Sequence, residues 1–159
     1  MRLPLILLLI FSCTLGANSQ ERMVIERLQK SIVFDGDNDE PAWSEIDPLE
    51  VKMLSPNFGD PPSEYTEVKL AYDDEFLYYS GRMHDENPNK WKIQMKRDDW
   101  KYNCDWAMLI IDSYNDKENS LVFATSPSGG RTDVAFSNDV NDLSTDMNLS
   151  WNTYWEVKT

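Results

Sequence analysis

The sequence contains little of the side-chain chemistry that many enzymes and metal proteins use. It has one histidine, His84, and two cysteines, Cys13 and Cys104, among 159 residues. A multi-histidine metal site is therefore excluded, and a Ser-His-Asp or Cys-His arrangement would have to use His84, which lies in the polar segment RMHDENP. No CxxC, GxGxxG or GxxxxGK[ST] pattern is present, so zinc and nucleotide chemistry have no motif to rest on.

Positive charge is also scarce. The chain has 15 Lys and Arg residues against 28 Asp and Glu residues, which gives a formal net charge of -13. A surface of this sign repels nucleic acid and anionic membranes, and it suits an exported protein or one that binds calcium. A glycosidase needs two carboxylates at a set separation, but with 28 acids such pairs are unavoidable and identify no active site.

The longest apolar run lies at the amino terminus. Residues Leu3 to Phe11 are too few to span a bilayer as a helix, and Arg2 precedes them. Small residues follow at Ala17 and Ser19, so the pattern predicts a signal peptide over residues 1–19, with cleavage after Ser19. The alternative is a lipoprotein signal that would use Cys13. Either signal predicts export to the periplasm, cell envelope or extracellular space, with no transmembrane span in the mature chain.

Cleavage would leave Cys104 as the remaining cysteine, so no internal disulfide is expected. A domain of this size must then depend on its hydrophobic core. Secreted eukaryotic domains of this size often carry disulfides, which favours a bacterial envelope protein.

Alternating apolar residues predict a series of strands. Glu67 to Tyr72 and Phe76 to Met83 flank a short acidic turn and form a predicted β-hairpin. Trp106 to Ile111 is nearly all apolar, as a strand buried on both faces would be. The remaining predicted strands are Leu121 to Thr125, Thr132 to Phe136 and Trp151 to Lys158. Residues 20–31 form a lead-in, either a helical turn or an extended strand, and residues 32–159 form an all-β sandwich or barrel.

The segment IVFDGDNDEPAW places Asp35, Asp37 and Asp39 at alternate positions. Oxygen ligands at this spacing are typical of calcium loops. An EF-hand starting at Asp35 would need Gly at its sixth position and Glu at its twelfth, where Glu40 and Ile46 stand. The EF-hand is therefore excluded, and a different calcium site formed by the three aspartates stays open.

The same segment has a purely structural interpretation. Asp35 and Gly36 would form a turn, and Asp39 would cap a helical turn over Glu40 to Trp43, with Pro41 in its first turn. Trp43 would then be a core residue, as would Trp151 and Trp155 near the end of the chain.

An ordered series of short motifs resembles a family 9 carbohydrate-binding module over about residues 30–159. The series is Phe34-Asp35-Gly36, Pro41-Ala42-Trp43, Thr66-Glu67-Val68, Ala71-Tyr72-Asp73-Asp74, Leu77-Tyr78, Asp85, Arg97-Asp98-Asp99, Asp105, Ile111-Asp112, Phe123, Pro127, Gly129 and Trp155. It is similar to the module at the start of large exported Bacteroidetes-type proteins. The resemblance implies a jelly-roll-like antiparallel β-sandwich, a carbohydrate ligand, structural calcium, and a larger protein of which this chain is a C-terminally incomplete piece.

The predicted sugar site lies in the segment RDDWKYNCD. Trp100 and Tyr102 would stack on a sugar ring, while Arg97 and Asp99 would orient its hydroxyls. The alternative is that the two rings pack internally and that Arg97 and its acids form an ion pair that holds a loop. The family's sugar-binding Glu and Arg positions fall near Met108 and Phe123, so the resemblance carries sugar binding over only in part.

These observations predict a non-catalytic carbohydrate-binding module of an exported protein, associated with polysaccharide breakdown. The alternative is a structural or interaction β-sandwich of the cell envelope that binds no sugar. A third hypothesis is a fragment of a glycoside hydrolase whose catalytic part lies elsewhere.

Overall fold

A computed structural model describes residues 23–87, 92–93, 95–98, 104–137 and 147–159. The predicted signal peptide, residues 1–19, lies outside these ranges. Within them, no helix is long and apolar enough to cross a membrane.

The described residues form two β-sheets and one short helix. In chain order the elements are β1 (Glu26–Arg27), α1 (Pro41–Ser44), β2 (Thr66–Tyr72), β3 (Leu77–Met83), β4 (Ala107–Ile111), β5 (Ser120–Thr125), β6 (Arg131–Phe136) and β7 (Met147–Asn148). The first sheet has the order β1-β2-β3 and the second has the order β4-β5-β6-β7. All described pairings are antiparallel except β1 with β2. The predicted all-β class is confirmed.

The first sheet is built on the predicted hairpin, which is confirmed. Strands β2 and β3 pair from Thr66 with Met83 to Tyr72 with Leu77. The lead-in takes its extended form, since β1 runs parallel to β2 and Glu26 lies opposite Ala71.

Asp73 holds the turn of this hairpin together. Its Oδ1 accepts hydrogen bonds from the backbone N–H groups of Glu75 and Phe76, both at 2.8 Å, and its Oδ2 accepts one from the Tyr78 hydroxyl at 2.8 Å. The two backbone bonds, followed by the Tyr78 bond, lower the pKa of Asp73 below its usual value. Burial, with help from the Asp73 hydrogen bond, raises the pKa of Tyr78 to about 12.

This turn predicts an acid-sensitive hairpin. Because the folded-state pKa of Asp73 is depressed, its contribution to stability is present above its unfolded-state pKa and is lost as the pH falls through the folded-state value. We therefore expect Asp73→Asn to lower the urea midpoint at pH 7 and to weaken the loss of stability as the pH falls below about 5. Urea unfolding at each pH measures both effects. Asp47→Asn, at an exposed acid in a loop, is the control, and equal midpoints for the two variants would contradict the role of Asp73.

A compact apolar cluster covers one face of the first sheet. Trp43 is 5 % exposed and packs among Leu28, Ala42, Ile46 and Ala71. Its place in the core confirms the prediction for this tryptophan.

The prediction that Asp39 caps the helix is wrong. The residue before α1 is Glu40, and no side chain caps the first turn. The Oε1 of Glu40 instead accepts a hydrogen bond from the backbone N–H of Val33 at 2.7 Å, which joins the helix to the segment that follows the lead-in. Pro41 does stand in the first turn, where its missing N–H costs nothing.

The second sheet has its own apolar cluster of Val122, Val134 and Phe136, with Met147 packed against it. Val122 lies opposite Val134 across β5 and β6, so both point to the same face. The cluster lies over the middle of the sheet and leaves β4 at its edge.

The prediction that β4 is buried on both faces is wrong. Met108 and Ile110 are 39 % and 64 % exposed, although they share a face with the core residues of β5. Strand β4 is an edge strand of the described sheet, and the described core cluster reaches only as far as β5. An apolar run alone does not distinguish a central strand from an edge strand.

The final segment, residues 151–159, is not a strand, which corrects the prediction for Trp151 to Lys158. Two of its backbone groups bond to side chains of β6. The N–H of Thr153 donates to Asp133, and the carbonyl of Trp155 accepts from Arg131. The alternation of apolar and polar residues in this segment therefore reflects packing of its side chains on the face of the second sheet, and not pairing as a strand of that sheet.

Candidate functional site

The candidate site is a cleft between β6 and the segment that follows β7. Residues alternate across β6, so Arg131 and Asp133 point to the face opposite that of the core residue Val134. The segment 152–156 passes over this outer face and leaves a cleft of about 230 Å³. We call it the arginine cleft, and its lining residues are Arg97, Arg131, Asn152, Thr153, Tyr154, Trp155 and Glu156.

An ion pair between the partly exposed Arg97 and the buried Asp133 forms the floor of the arginine cleft. The Nη2 of Arg97 lies 2.8 Å from the Oδ1 of Asp133, whose side chain is 1 % exposed. The Oδ2 of Asp133 accepts the backbone N–H of Thr153 at 3.0 Å. Both carboxylate oxygens are therefore satisfied, and Asp133 joins the sheet to the final segment.

Arg97 makes two further contacts. Its Nη2 donates to the Oδ1 of Asn152 at 3.1 Å, and its Nε donates to the Oδ2 of Asp98 at 3.2 Å. Asp98 has a positive φ of 55°, and its N–H donates to the carbonyl of Arg131 at 3.0 Å. This left-handed residue brings the loop before β4 against the start of β6, which places Arg97 over Asp133.

Arg131 forms the second wall of the cleft. Its Nη1 donates to the carbonyl of Trp155 at 2.5 Å, and its guanidinium carbon lies 5.6 Å from the centre of the Trp155 ring. This distance is within the range of a cation–π interaction. Within the described ranges, no acidic side chain forms an ion pair with Arg131.

Aromatic rings support the cleft from the sheet side and border it on the solvent side. Phe123 of β5 packs edge-on against Trp151 and Trp155, with ring centres 5.9 Å and 5.5 Å apart. Both tryptophans are half-buried on the outer face, not within either core cluster as predicted. Tyr154 is 74 % exposed, and its hydroxyl donates to the Oε1 of Glu156 at 3.0 Å. That hydrogen bond raises the pKa of Tyr154.

Of the predicted sugar-binding residues, the structure places Arg97 in the arginine cleft. Asp99, Trp100 and Tyr102 lie outside the described residues, so their roles stay predictions. The alternative that Arg97 forms an ion pair holding a loop agrees with its bonds to Asp98 and Asp133.

Sequence reasoning missed the rest of the cleft. Asp133 stands on the predicted strand Thr132 to Phe136, and Arg131 precedes that strand by one residue. The observed strand β6 includes Arg131, which places both charges on one face, with the buried Thr132 between them. Two opposite charges at alternate positions of a strand therefore indicate, from the sequence alone, a polar site on one face of the sheet. No sequence pattern indicates that Tyr154 and Trp155 line the same cleft, because they reach it only where the final segment crosses the sheet.

The three aspartates predicted to bind calcium lie at the surface. The Oδ1 of Asp35 accepts the N–H of Asp37 at 3.0 Å, which forms the predicted turn with Gly36 at a φ of 109°. No three Asp, Glu, His or Cys side chains converge as a metal-ligating group in the part of the chain that the structure describes. The geometry does not bring Asp35, Asp37 and Asp39 together, and calcium stays a prediction.

The Cys104 thiol is unpaired, and its environment does not favour nucleophilic chemistry. Its Sγ donates to the carbonyl of Lys92 at 2.9 Å. Burial, together with the nearby charge of Asp105, raises the pKa of the thiol. The thiolate, which is the reactive form, is therefore disfavoured at neutral pH.

Comparison with family models, curated proteins and solved structures finds no match to this chain. The resemblance to family 9 modules therefore stays a prediction.

Proposed function

We propose that this chain is a non-catalytic carbohydrate-binding module of an exported protein, associated with polysaccharide breakdown. The observation that supports the proposal best is the composition of the arginine cleft. Two guanidinium groups, an exposed tyrosine and a half-buried tryptophan surround one cavity on the outer face of a β-sheet.

These groups suit the chemistry of a sugar ring. A pyranose has apolar C–H faces that stack on an aromatic ring such as Tyr154, and its rim carries hydroxyls that both donate and accept hydrogen bonds. Arg131 can donate to a hydroxyl oxygen, and the carboxylate of Glu156 can accept from a hydroxyl. Recognition of this kind needs no catalytic group.

The size of the cleft favours a short ligand segment. Its volume of about 230 Å³ is below the roughly 300–1,000 Å³ of typical small-molecule sites. We therefore expect one ring or a chain end to occupy it, with further rings resting on the surrounding surface.

The alternative function is a structural or interaction β-sandwich that binds no sugar. The bonds of Arg97 favour it, because its Nη2 and Nε atoms both contact side chains of the protein itself. In that case the residues of the arginine cleft only hold the final segment against the second sheet.

Calorimetric titration with a panel of soluble neutral and acidic oligosaccharides separates the two functions. We expect measurable binding by the parent chain and a loss of about threefold to tenfold in affinity for Tyr154→Ala, which corresponds to the value of one aromatic contact. Tyr154 is largely exposed, so the variant should fold. Tyr114→Ala, at an exposed tyrosine outside the cleft, is the matched control and should bind as the parent does.

No heat with any oligosaccharide, or equal affinities for Tyr154→Ala and the parent, would refute the proposal for this cleft. Trp100→Ala and Tyr102→Ala test the platform predicted from the sequence in the same assay. A loss confined to those two variants would move the sugar site to that segment.

A further inference from the structure

We infer that the arginine cleft recognises an acidic sugar, a pyranose that carries a carboxylate, and that Arg131 is the residue that binds this carboxylate. The inference rests on the proposed function and specifies its ligand class. It follows from the charge balance of the cleft and from the geometry of Arg131.

Arg131 differs from other described cations that form no ion pair, because Arg82, Lys117 and Lys158 are exposed whereas Arg131 lies in a cleft. Five cations in the described residues form ion pairs with acidic side chains, and these are Arg27, Lys30, Lys52, Lys69 and Arg97. Arg131 is half-buried and lines a cleft, yet no acid of the described ranges lies within 4.0 Å of it. In a chain with 28 acids and 15 bases, a shielded guanidinium without a carboxylate is a natural binding point for one from outside.

The guanidinium of Arg131 is also held in place. Its Nη1 contacts the Trp155 carbonyl, and its plane lies near the Trp155 ring. Among the described residues its Nε and Nη2 form no hydrogen bond, so these two donors remain for a ligand. Two N–H groups in a fixed fork match the two oxygens of a carboxylate.

Arg97 does not compete for this role. It already contacts the carboxylates of Asp98 and Asp133, which offset its charge. An incoming carboxylate is therefore attracted to Arg131, while Arg97 keeps the floor of the cleft in place.

Glu156 is the acidic side chain that lines the cleft, and it sets where the ligand's charge can lie. Its Oε1 accepts a hydrogen bond from the Tyr154 hydroxyl, which holds this carboxylate beside the tyrosine. The ligand's carboxylate should therefore face Arg131, and its neutral hydroxyls should face Glu156. The net charge of the whole chain opposes this only at long range, because salt at physiological strength screens charges beyond about 8 Å.

The test compares an oligogalacturonate with its methyl ester, since esterification removes the charge and retains the rings. We expect the parent chain to bind the acid at least about tenfold more tightly than the ester, as a charged hydrogen-bonded pair would give. Arg131→Gln should remove this preference, and Arg131→Lys should keep part of it. Lys52→Gln, which removes one exposed positive charge outside the cleft, should leave the preference unchanged.

The affinity for the methyl ester also serves as the folding control, because Arg131→Gln removes a bond to Trp155. Retained ester binding with lost acid preference supports the inference. Equal binding of acid and ester by the parent, or a preference that survives in Arg131→Gln, overturns it and leaves the proposed function standing. Displacement of the oligogalacturonate by an equal concentration of acetate would show a bare carboxylate site and overturn the sugar class. Binding of neither ligand, nor of any neutral oligosaccharide, overturns the proposed function as well.

Discussion

Replacing Arg97 with methionine is expected to destabilise the folded chain by about 2–3 kcal/mol, less than for a fully buried pair because Arg97 is partly exposed. The reason is the partner that the substitution leaves behind. Asp133 is 1 % exposed, and Arg97 is its ion-pair partner at 2.8 Å. Without the guanidinium, a carboxylate stays buried with only the Thr153 N–H as a described donor. Urea unfolding at pH 7 measures the loss.

Two further variants separate this effect from a general loss of positive charge. Arg27→Met breaks a solvent-exposed pair with Asp74 and should cost far less. The double variant Arg97→Met, Asp133→Leu removes both charges and should recover part of the lost stability, because neither partner is left buried and unpaired. A cost for Arg97→Met no larger than that for Arg27→Met would contradict the role of the pair.

Replacing Trp43 with alanine is the second large expected effect, at about 3–5 kcal/mol. The indole is almost fully buried among Leu28, Ile46 and Ala71, so its removal leaves a cavity beside the first sheet. The hydrogen bond from Lys69 to the backbone carbonyl of residue 43, at 3.0 Å, is retained in the variant, so the loss reports the missing indole. Urea or thermal unfolding gives the change in stability.

Phe58→Ala is the matched control, because this aromatic side chain is exposed in a loop. It should change stability by less than about 0.5 kcal/mol. Equal changes in the free energy of unfolding for Trp43→Ala and Phe58→Ala would show that the apolar cluster beside the first sheet does not stabilise the fold.

Local patterns predicted the elements whose contacts are local. The hairpin of β2 and β3 follows from strict alternation and from an acidic turn in which Asp73 can accept two backbone hydrogen bonds. The sequence predicts Trp43, Trp151 and Trp155 in the core because of their residue type, and of the three Trp43 lies in a core cluster. The residues that form the hairpin turn are within a few positions of one another, whereas Trp43 packs against Leu28 and Ala71, 15 and 28 positions away along the chain.

The errors occur where long-range packing decides the outcome. Nothing in the apolar run of β4 shows that it lies at a sheet edge, where Ile110 remains exposed. The alternation of residues 151–158 suggested a strand, but Asp133 and Arg131 bind the backbone that a neighbouring strand would otherwise pair with.

The candidate site was only partly predictable for the same reason. The sequence predicts a role for Arg97, which stands beside two aspartates and near two aromatic residues. The structure pairs it with Asp133, which is 36 positions away along the chain. Tyr154 and Trp155 belong to a third segment. The spacing of residues within one segment does not predict contacts between segments that are distant along the chain.

The most direct test of the arginine cleft is a solution NMR titration of the chain with the tightest-binding oligosaccharide. We expect the indole N–H signal of Trp155 and the backbone signals of Tyr154 and Arg131 to shift with one common affinity. The indole signal of Trp43, buried beside the other sheet, should not move. Shifts confined to other surfaces, with Trp155 and Arg131 unchanged at saturation, would contradict the assignment of carbohydrate binding to this cleft.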